Sequence, residues 1–368
     1  MTSITHENDR DRSDRDLSQS IEIDGIQVDL VCSNVRQSDI LWASTHLIDG
    51  KGQEGNLVLV ETLSDIGSTT HVENSNGQDE PIHRGEKFIA VLANRHSGTS
   101  ESGGIPEGGL DIIEGTELHL LSTGGIVGIN TGIPARMHQE PLRLRSLGLV
   151  AQEGNPLDLL EMAGPHSEVF AQSAPIVLIC GTSAEVGKTT TSKGLIQVLS
   201  SQEIIVAGTK FSGTGRKRDI NNLHTAGAQI ALDFPDAGLP TTYTSPERFR
   251  KGTYTLFNKL NAAQPDIIIA EAGGDPIEAN VPTFLADPNL MRSVIGVVVV
   301  AGDVMGMMGA VRYIKEFQPN VPIFVTDPKD RNTYATRERV AKVLPGIPIF
   351  NSLDYEQIRQ VLDTMLKR

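Results

Sequence analysis

Ala174-Pro-Ile-Val-Leu-Ile-Cys-Gly-Thr-Ser-Ala-Glu-Val-Gly-Lys-Thr-Thr190 is the stretch that decides the fold class of this 368-residue chain. Its first half is an unbroken aliphatic run, which reads as a strand buried on both faces, because a strand with one wet face would alternate. The run passes directly into a glycine-bounded loop, and a helix is predicted from Lys188 to Leu199. Strand, glycine loop, Lys-Thr and helix in that order make a phosphate loop. Glycines let the loop wrap so that backbone N–H groups point inward at phosphate oxygens. The helix N-terminus adds its positive dipole end, and Lys188 supplies a charge for the β- and γ-phosphates. Thr189 is expected to hold Mg²⁺ through its hydroxyl. The expected nucleotide-binding residues are therefore Gly181, Thr182, Ser183, Ala184, Glu185, Val186, Gly187, Lys188, Thr189 and Thr190. Five residues separate Gly181 from Gly187, one more than the standard spacing. A plain glycine turn that precedes Lys-Thr is the alternative, and the flanking strand and helix argue against it.

Working outward, the same aliphatic texture recurs in IIVAGTKF (204–211), PDIIIAEAGG (265–274), SVIGVVVVAGD (293–303), VPIFVTDP (321–328) and GIPIFN (346–351). Runs without alternation mean burial on both faces, hence a mainly parallel sheet with helices on each side. GAVRYIKEF, TRERVAKVL and YEQIRQVLDTML supply helices between them. The predicted fold class is α/β, with a phosphate-loop domain over 174–368. Upstream, IEIDGIQVDLVC, NLVLVETL, KFIAVLAN and ELHLLSTGGIVGI are cut by glycine and polar turns, which predicts a smaller, mainly β domain over 21–148. Residues 149–173 read as a connecting helix and linker. Residues 1–20 have few apolar side chains and no periodicity, and a disordered tail is expected there.

Composition narrows the function classes. With 46 acidic against 32 basic residues the formal net charge is -14, so no general attraction to nucleic acid or to an anionic membrane is expected. No apolar run approaches the roughly 18 residues a membrane span needs. The start of the chain lacks a basic-then-apolar signal. A soluble, cytoplasmic protein acting on a small-molecule substrate is the expectation. Neither the nine histidines nor the two cysteines, Cys32 and Cys180, show metal-ligand spacing, and Cys180 sits inside the first parallel strand as a core residue.

GTSAEVGKTT resembles the phosphate loop of dethiobiotin synthetase. That enzyme groups with cobyrinic acid amide synthases and the nucleotide-binding adaptor of molybdopterin guanine dinucleotide synthesis, a superfamily that tolerates the extra loop residue. Lys210 in VAGTKFSGTG and Glu271 in IIIAEAGG fall where the synthetase has a lysine after its second strand and an acidic residue closing a Val/Ile strand. The resemblance covers about 175–350, and residues 21–148 have no counterpart in it. It implies ATP and Mg²⁺ as cofactors and ATP-dependent activation of a carboxylate or carbamate. Lys188 would stabilise the transferring phosphoryl group, Thr189 and Glu271 would hold the metal, and Lys210 would neutralise charge on the acceptor oxygen. It also implies a homo-oligomer, since related enzymes often place their sites at dimer interfaces. The two-domain layout resembles, in addition, the family of uncharacterised proteins that includes D-glutamate N-acetyltransferases, which keeps acyl transfer from acetyl-CoA open. A nucleotide-binding adaptor or regulatory NTPase is a third reading. Gly181-Thr182 stands where the cell-division and metal-pump ATPases of the wider group carry a lysine, which counts against those.

Other segments concentrate chemistry. Lys210-Phe-Ser-Gly-Thr-Gly-Arg-Lys-Arg-Asp219 places four cations and two glycines after a strand end. An anionic substrate or the γ-phosphate is their natural counterpart, with Asp219 a second metal ligand and Ser212, Gly213 and Thr214 substrate contacts. For Arg216, Lys217 and Arg218 a solvated basic turn is the alternative. Gly273 and Gly274, before Asp275-Pro276-Ile277-Glu278, suit close approach to a substrate or a plain turn. Asp236 to Tyr243 could line the same cleft or form a helix-capping loop. Asp303 ends a strand as either a ligand or a structural residue. Val325 to Asp330 occupies the place where the superfamily contacts the purine, yet lacks Asn-Lys-x-Asp, so ATP rather than GTP is expected. In the β domain, Asn94-Arg95-His96 and Thr123 to Gly128 read as loops for close approach, with Arg95 and His96 suited to an anion or to acid–base work, or else as ordinary surface.

Overall fold

The structure, a computed structural model, describes residues 21–37, 39–170, 172–327 and 334–367. The expected tail over 1–20 lies outside the described residues, as do positions 328–330 of the expected purine contact.

The amino-terminal half is mainly β. Its principal strands are β1 (Leu57–Thr62), β2 (Lys87–Leu92), β3 (Glu117–Ser122), β4 (Ile126–Gly132) and β5 (Arg143–Gln152). β5 pairs antiparallel with β3 and β1, β1 with β2, and β3 with β4. Ile126 and Val127 of β4 then pair parallel with Val91 and Leu92 of β2, so the sheet closes on itself. Closure satisfies the strand edges that an open sheet would leave exposed. Leu57 to Val60 and Phe88 to Leu92 are wholly buried in the core of this unit.

The expected helix and linker over 149–173 are corrected. β5 continues to Gln152, a two-residue strand Asn155–Pro156 turns back onto it, and the helical part is one turn, Leu159–Met162, capped by Asp158. Leu149, Val150 and Ala151 are fully buried and extend the strand, and the turn at Glu153-Gly154 marks the true break.

The carboxyl-terminal half is a three-layer α/β unit. Six strands are all parallel: β6 (Ile176–Gly181), β7 (Val206–Lys210), β8 (Ile230–Asp233), β9 (Ile267–Glu271), β10 (Val294–Val300) and β11 (Ile323–Thr326). Their order is β8-β7-β9-β6-β10-β11, which puts β6 inside the sheet between β9 and β10. The principal helices are α1 (Lys188–Ser200), α2 (Lys217–Thr225), α3 (Pro246–Ala262), α4 (Val304–Phe317), α5 (Tyr334–Val343) and α6 (Tyr355–Leu366). Ile176, Leu178 and Cys180 face α3 and α4, whereas Val177 and Ile179 face α1, α2 and α6. Both faces are dry, which is why β6 reads as a continuous aliphatic run. GIPIFN, expected as a strand, contributes one isolated parallel bridge, Ile349 to Val325. Pro348 has no N–H to extend the ladder.

Buried charges join the halves. Arg36 meets Asp233 at 2.9 Å with the two side chains 5% and 0% exposed. Glu73, fully buried, accepts the backbone N–H groups of Lys217 and Arg218 at 2.7 and 3.1 Å. Arg216 and Arg218 reach Asp79 at 2.5 and 3.3 Å. Among the described residues, no helix is long and apolar enough to cross a membrane.

Candidate active site

The carboxyl end of a central parallel strand is where α/β sheets bind ligands, and there β6 delivers Gly181 into the loop. Glu185 and Gly187 take left-handed conformations, φ 61° and 106°, which turn the chain back into α1. Val186 is anchored in the core beneath α1. A Cβ at Gly181 would lie 2.6 Å from Lys188 Cδ, so glycine is required for the lysine to fold across the loop. Lys188 Nζ donates to the carbonyls of Ser183 (2.7 Å) and Gly274 (2.9 Å). Burial pushes this ammonium below the usual lysine range, and the Glu271 carboxylate works against that shift.

Thr189 and Glu271 come together as expected. The Thr189 hydroxyl donates to one Glu271 carboxylate oxygen at 2.9 Å and Ser192 donates to the other at 3.0 Å. Burial raises the Glu271 carboxyl, against the pull of Lys210 and Lys188. A hydroxyl and a carboxylate oxygen at the loop mouth are hard donors suited to Mg²⁺, which keeps several waters and takes the rest of its ligands from phosphates. Among the described residues no cluster of three His, Cys, Asp or Glu side chains could cage a metal.

Lys210 ends β7 and faces the same mouth, but it is already paired: its Nζ meets Asp219 of α2 at 2.5 Å. Burial would lower the lysine, and Asp219 outweighs that and holds it above its ordinary value. Asp219, expected as a metal ligand, is the counter-ion of Lys210. Arg216 and Arg218, candidates for an anion site, are spent on Glu73 and Asp79, and Lys217 opens α2.

A cleft of about 450 Å³ lies between the halves. The β domain lines it with Arg95, His96, Ser97, Thr99, Ser122 and Thr123, and the loop domain with Ser183, Lys210, Gly213, Thr214, Tyr243, Gly273, Gly274 and Glu278. Gly213, Thr214, Gly273 and Gly274, named as substrate contacts, line this cleft. Ser212 does not: it is buried and bonds the Gly273 N–H at 3.0 Å. Gly273 is glycine because a Cβ would sit 2.3 Å from the Ser212 carbonyl, so its contact is with the neighbouring loop. Thr241 and Thr242 are likewise buried, bonding the Gly213 and Ala279 carbonyls, and only Tyr243 of the 236–243 block lines the cleft. Asp236 closes a capping box with Asp233, and Asp303 caps α4 through the Gly306 N–H.

Arg95 is tied to Glu101 at 2.9 Å and to the Leu121 carbonyl. The His96 ring lies 5.2 Å from that of Tyr243. Within Thr123 to Gly128, Thr123 lines the cleft, and Gly125 is left-handed at φ 88° where a Cβ would strike Cys32. Cys180 is a core residue as expected, its thiol pushed up to about 12 by burial. Sequence reasoning missed Thr69 and the wall from Ser97 to Glu101, although HSGTSESGG after an aliphatic strand has the hydroxyl and glycine content of a binding loop.

No family model matches this chain, and no curated protein matches it. Solved structures with a similar fold include HypB from Helicobacter pylori in complex with nickel (16% identity, TM-score 0.36), which aligns over 53% of this chain and 86% of that one. The 54 kDa signal recognition particle protein from Aeropyrum pernix K1 in complex with GDP aligns at 20% identity and TM-score 0.34, over 56% of this chain and 50% of that one. A ParA family ATPase from Chlorobium tepidum TLS aligns at 13% identity and TM-score 0.33, over 52% of this chain and 93% of that one. On its own strand order and loop geometry, the carboxyl-terminal half of this chain has a P-loop α/β fold.

Proposed function

We propose that the chain is a Mg²⁺- and ATP-dependent ligase, similar in chemistry to dethiobiotin synthetase, that activates a carboxylate or carbamate of a small molecule by phosphoryl transfer. The observation that carries this reading is the convergence of Lys188, the Thr189–Glu271 pair and Lys210 on one loop mouth that opens into a cleft walled by a second domain. Backbone N–H groups of Gly181 to Thr190 would cradle the phosphates, and Lys188 would leave the Ser183 and Gly274 carbonyls for the β- and γ-phosphate oxygens. Bound Mg²⁺, held by Thr189 and Glu271, would offset charge on the phosphates. Lys210 would neutralise the acceptor oxygen, with Asp219 keeping it protonated. The adenine would enter the groove of about 290 Å³ between Thr190, Gly194 and Gln197 of α1 and Ser352 and Leu353, which begins where the loop ends. That groove lies beside Thr326, near the start of the stretch on which the purine was expected: the Ser352 N–H donates to Thr326 Oγ1 at 3.3 Å. Assembly as a homo-oligomer and a cytoplasmic setting belong to the same proposal.

Calorimetry with ATP, GTP and acetyl-CoA, each with and without Mg²⁺, tests it on the native chain and on Lys188→Ala. ATP binding that needs Mg²⁺ and weakens by at least about tenfold in the variant is the expected result, since a charge-assisted contact contributes about 1.5–3 kcal/mol. Acetyl-CoA binding with no response to ATP would replace the ligase by an acyltransferase.

A further inference from the structure

Of the charged groups that line the cleft, the cations are all neutralised within the protein: Arg95 by Glu101, Arg216 by Glu73 and Asp79, Lys210 by Asp219. Two carboxylates of the cleft, Asp275 and Glu278, make no such pair among the described residues; Asp275 is held within its own loop by the Ile277 N–H at 2.9 Å, whereas Glu278 is placed for chemistry. It lines the cleft and has the Tyr243 side chain as a near neighbour. It also stands beside the turn that holds the phosphate-loop lysine: a Cβ on Gly274, whose carbonyl accepts from Lys188, would come 2.7 Å from a Glu278 carboxylate oxygen.

The backbone is arranged to put it there. Ala279 and Asn280, directly after Glu278, are consecutive non-glycine residues in the left-handed region, φ 53° and 60°. Such strain persists only where the surroundings over-determine it, and it concentrates at functional sites. Here Asn280 Nδ2 donates to the Thr242 and Thr244 carbonyls at 2.9 and 2.8 Å, and Thr242 Oγ1 donates to the Ala279 carbonyl at 2.8 Å. These bonds lock the Glu278 loop to the segment that carries Tyr243. From the other wall, Asn94 Nδ2 reaches the Tyr243 carbonyl at 3.3 Å and His96 packs on its ring. The carboxylate and its tyrosine are thus positioned from three segments and both domains.

We propose that Glu278, oriented by Tyr243, is the general base that takes the proton from the nucleophile attacking on the acceptor side of the phosphate loop. This rests on the ATP-dependent reading above and names the second nucleophile of that reaction as a protic one, an amine. In the first step a carboxylate oxygen bonds to the γ-phosphorus, the bond to the β-phosphate oxygen breaks, and ADP leaves. In the second the amine nitrogen bonds to the acyl carbon, the bond to the phosphate oxygen breaks, phosphate leaves with the electron pair, and the N–H proton passes to Glu278. Water serves as the probe nucleophile: its oxygen bonds to the γ-phosphorus, ADP leaves, and the proton again goes to Glu278.

The charged and titratable groups around the Glu278 carboxyl are Tyr243, Asp275 and Lys188, with Arg95 beyond Tyr243. Burial first, then the neighbouring Asp275 charge, raise it above the usual carboxylate range, against Tyr243 and Lys188. A base must be ionised to act, so turnover should rise with pH through that elevated value. The experiment measures ADP release from Mg²⁺-ATP between about pH 5 and pH 9 in the native chain, Glu278→Gln and Tyr243→Phe, with Mg²⁺-ATP affinity by calorimetry and folding by circular dichroism. Glu278→Gln should lose about 100-fold in turnover, a typical general-base effect, lose the acidic limb of the profile, and keep its nucleotide affinity. Tyr243→Phe should keep measurable turnover with the acidic limb displaced, since it acts through Glu278. Native-like turnover and pH profile in Glu278→Gln would overturn the proposal. So would a native chain that binds Mg²⁺-ATP and releases no ADP, because a base facing the γ-phosphoryl group serves water too. Failure of the native chain to bind Mg²⁺-ATP would instead overturn the nucleotide reading itself.

Discussion

Glu101 and Asp219 are the carboxylates from which the two walls of the cleft hang. Burial alone would raise both. Hydrogen bonds from Ser100 and Ser68, with Arg95, outweigh burial at Glu101, and the Lys210 ammonium outweighs it at Asp219, so both are held below the usual carboxylate range. A depressed carboxyl contributes stability that is fully present above its unfolded-state value and is lost as pH falls through the folded value. With ordinary values of 4.5 for Glu101 and 3.8 for Asp219, the melting temperature should lose these contributions progressively below about pH 4.5. Thermal unfolding followed by circular dichroism across that range checks it, and Glu101→Gln should show a shallower acid slope. At this scale the placement of Lys188 and Thr189 at the start of α1, and of Glu271 at the end of β9, was legible in the sequence, because a glycine loop after an aliphatic run and a carboxylate closing one are local patterns. Glu101 was not, since its hydroxyl partner Ser68 lies 33 residues away.

Helix α2 shows what an element can hide. Its N-cap residue, Arg216, provides no side-chain cap, so its first N–H groups need an outside acceptor. Glu73 supplies one from 144 residues upstream, and its charge suits the positive end of the helix. Glu73→Ala leaves buried donors without a partner and should cost about 1–3 kcal/mol. Urea unfolding measures the loss, and cleavage by protease near Gly215 should appear with it; an unchanged midpoint would refute the capping role. Helix α3 was legible but overlooked. Ser245 and Pro246 are a good helix start, and the Ser245 hydroxyl accepts the Arg248 N–H. The apolar stripe is diluted by Gly252, Thr253 and Thr255, all buried in this structure, so the period is hard to read. Gly252 is there because a Cβ would lie 2.3 Å from Leu239.

For the whole molecule, the Arg36–Asp233 pair is the deepest link between the halves. Removing one member of a buried ion pair typically costs about 3–5 kcal/mol, because the other charge stays buried and unpaired. Arg36→Met should therefore lower stability by about that much and separate unfolding of the two halves into distinct transitions in chemical denaturation. A loss of less than about 1 kcal/mol would mean that Asp233, whose carboxyl burial pushes up to about 8, takes a proton once Arg36 is gone, so that no unpaired charge is left buried. The sequence by itself determined the α/β character of the carboxyl-terminal half, the β character of the amino-terminal half and the phosphate loop. Each of these depends on neighbours in the chain: unbroken aliphatic runs, turn residues, and a glycine loop leading into a helix. Only the tertiary structure decided that Arg216 and Arg218 are clasped by Glu73 and Asp79, that Asp219 pairs with Lys210, and that Tyr243 meets Glu278 beneath His96. Those pairings join distant segments, and burial and the docking of one domain on the other select them, which no local pattern of residues encodes.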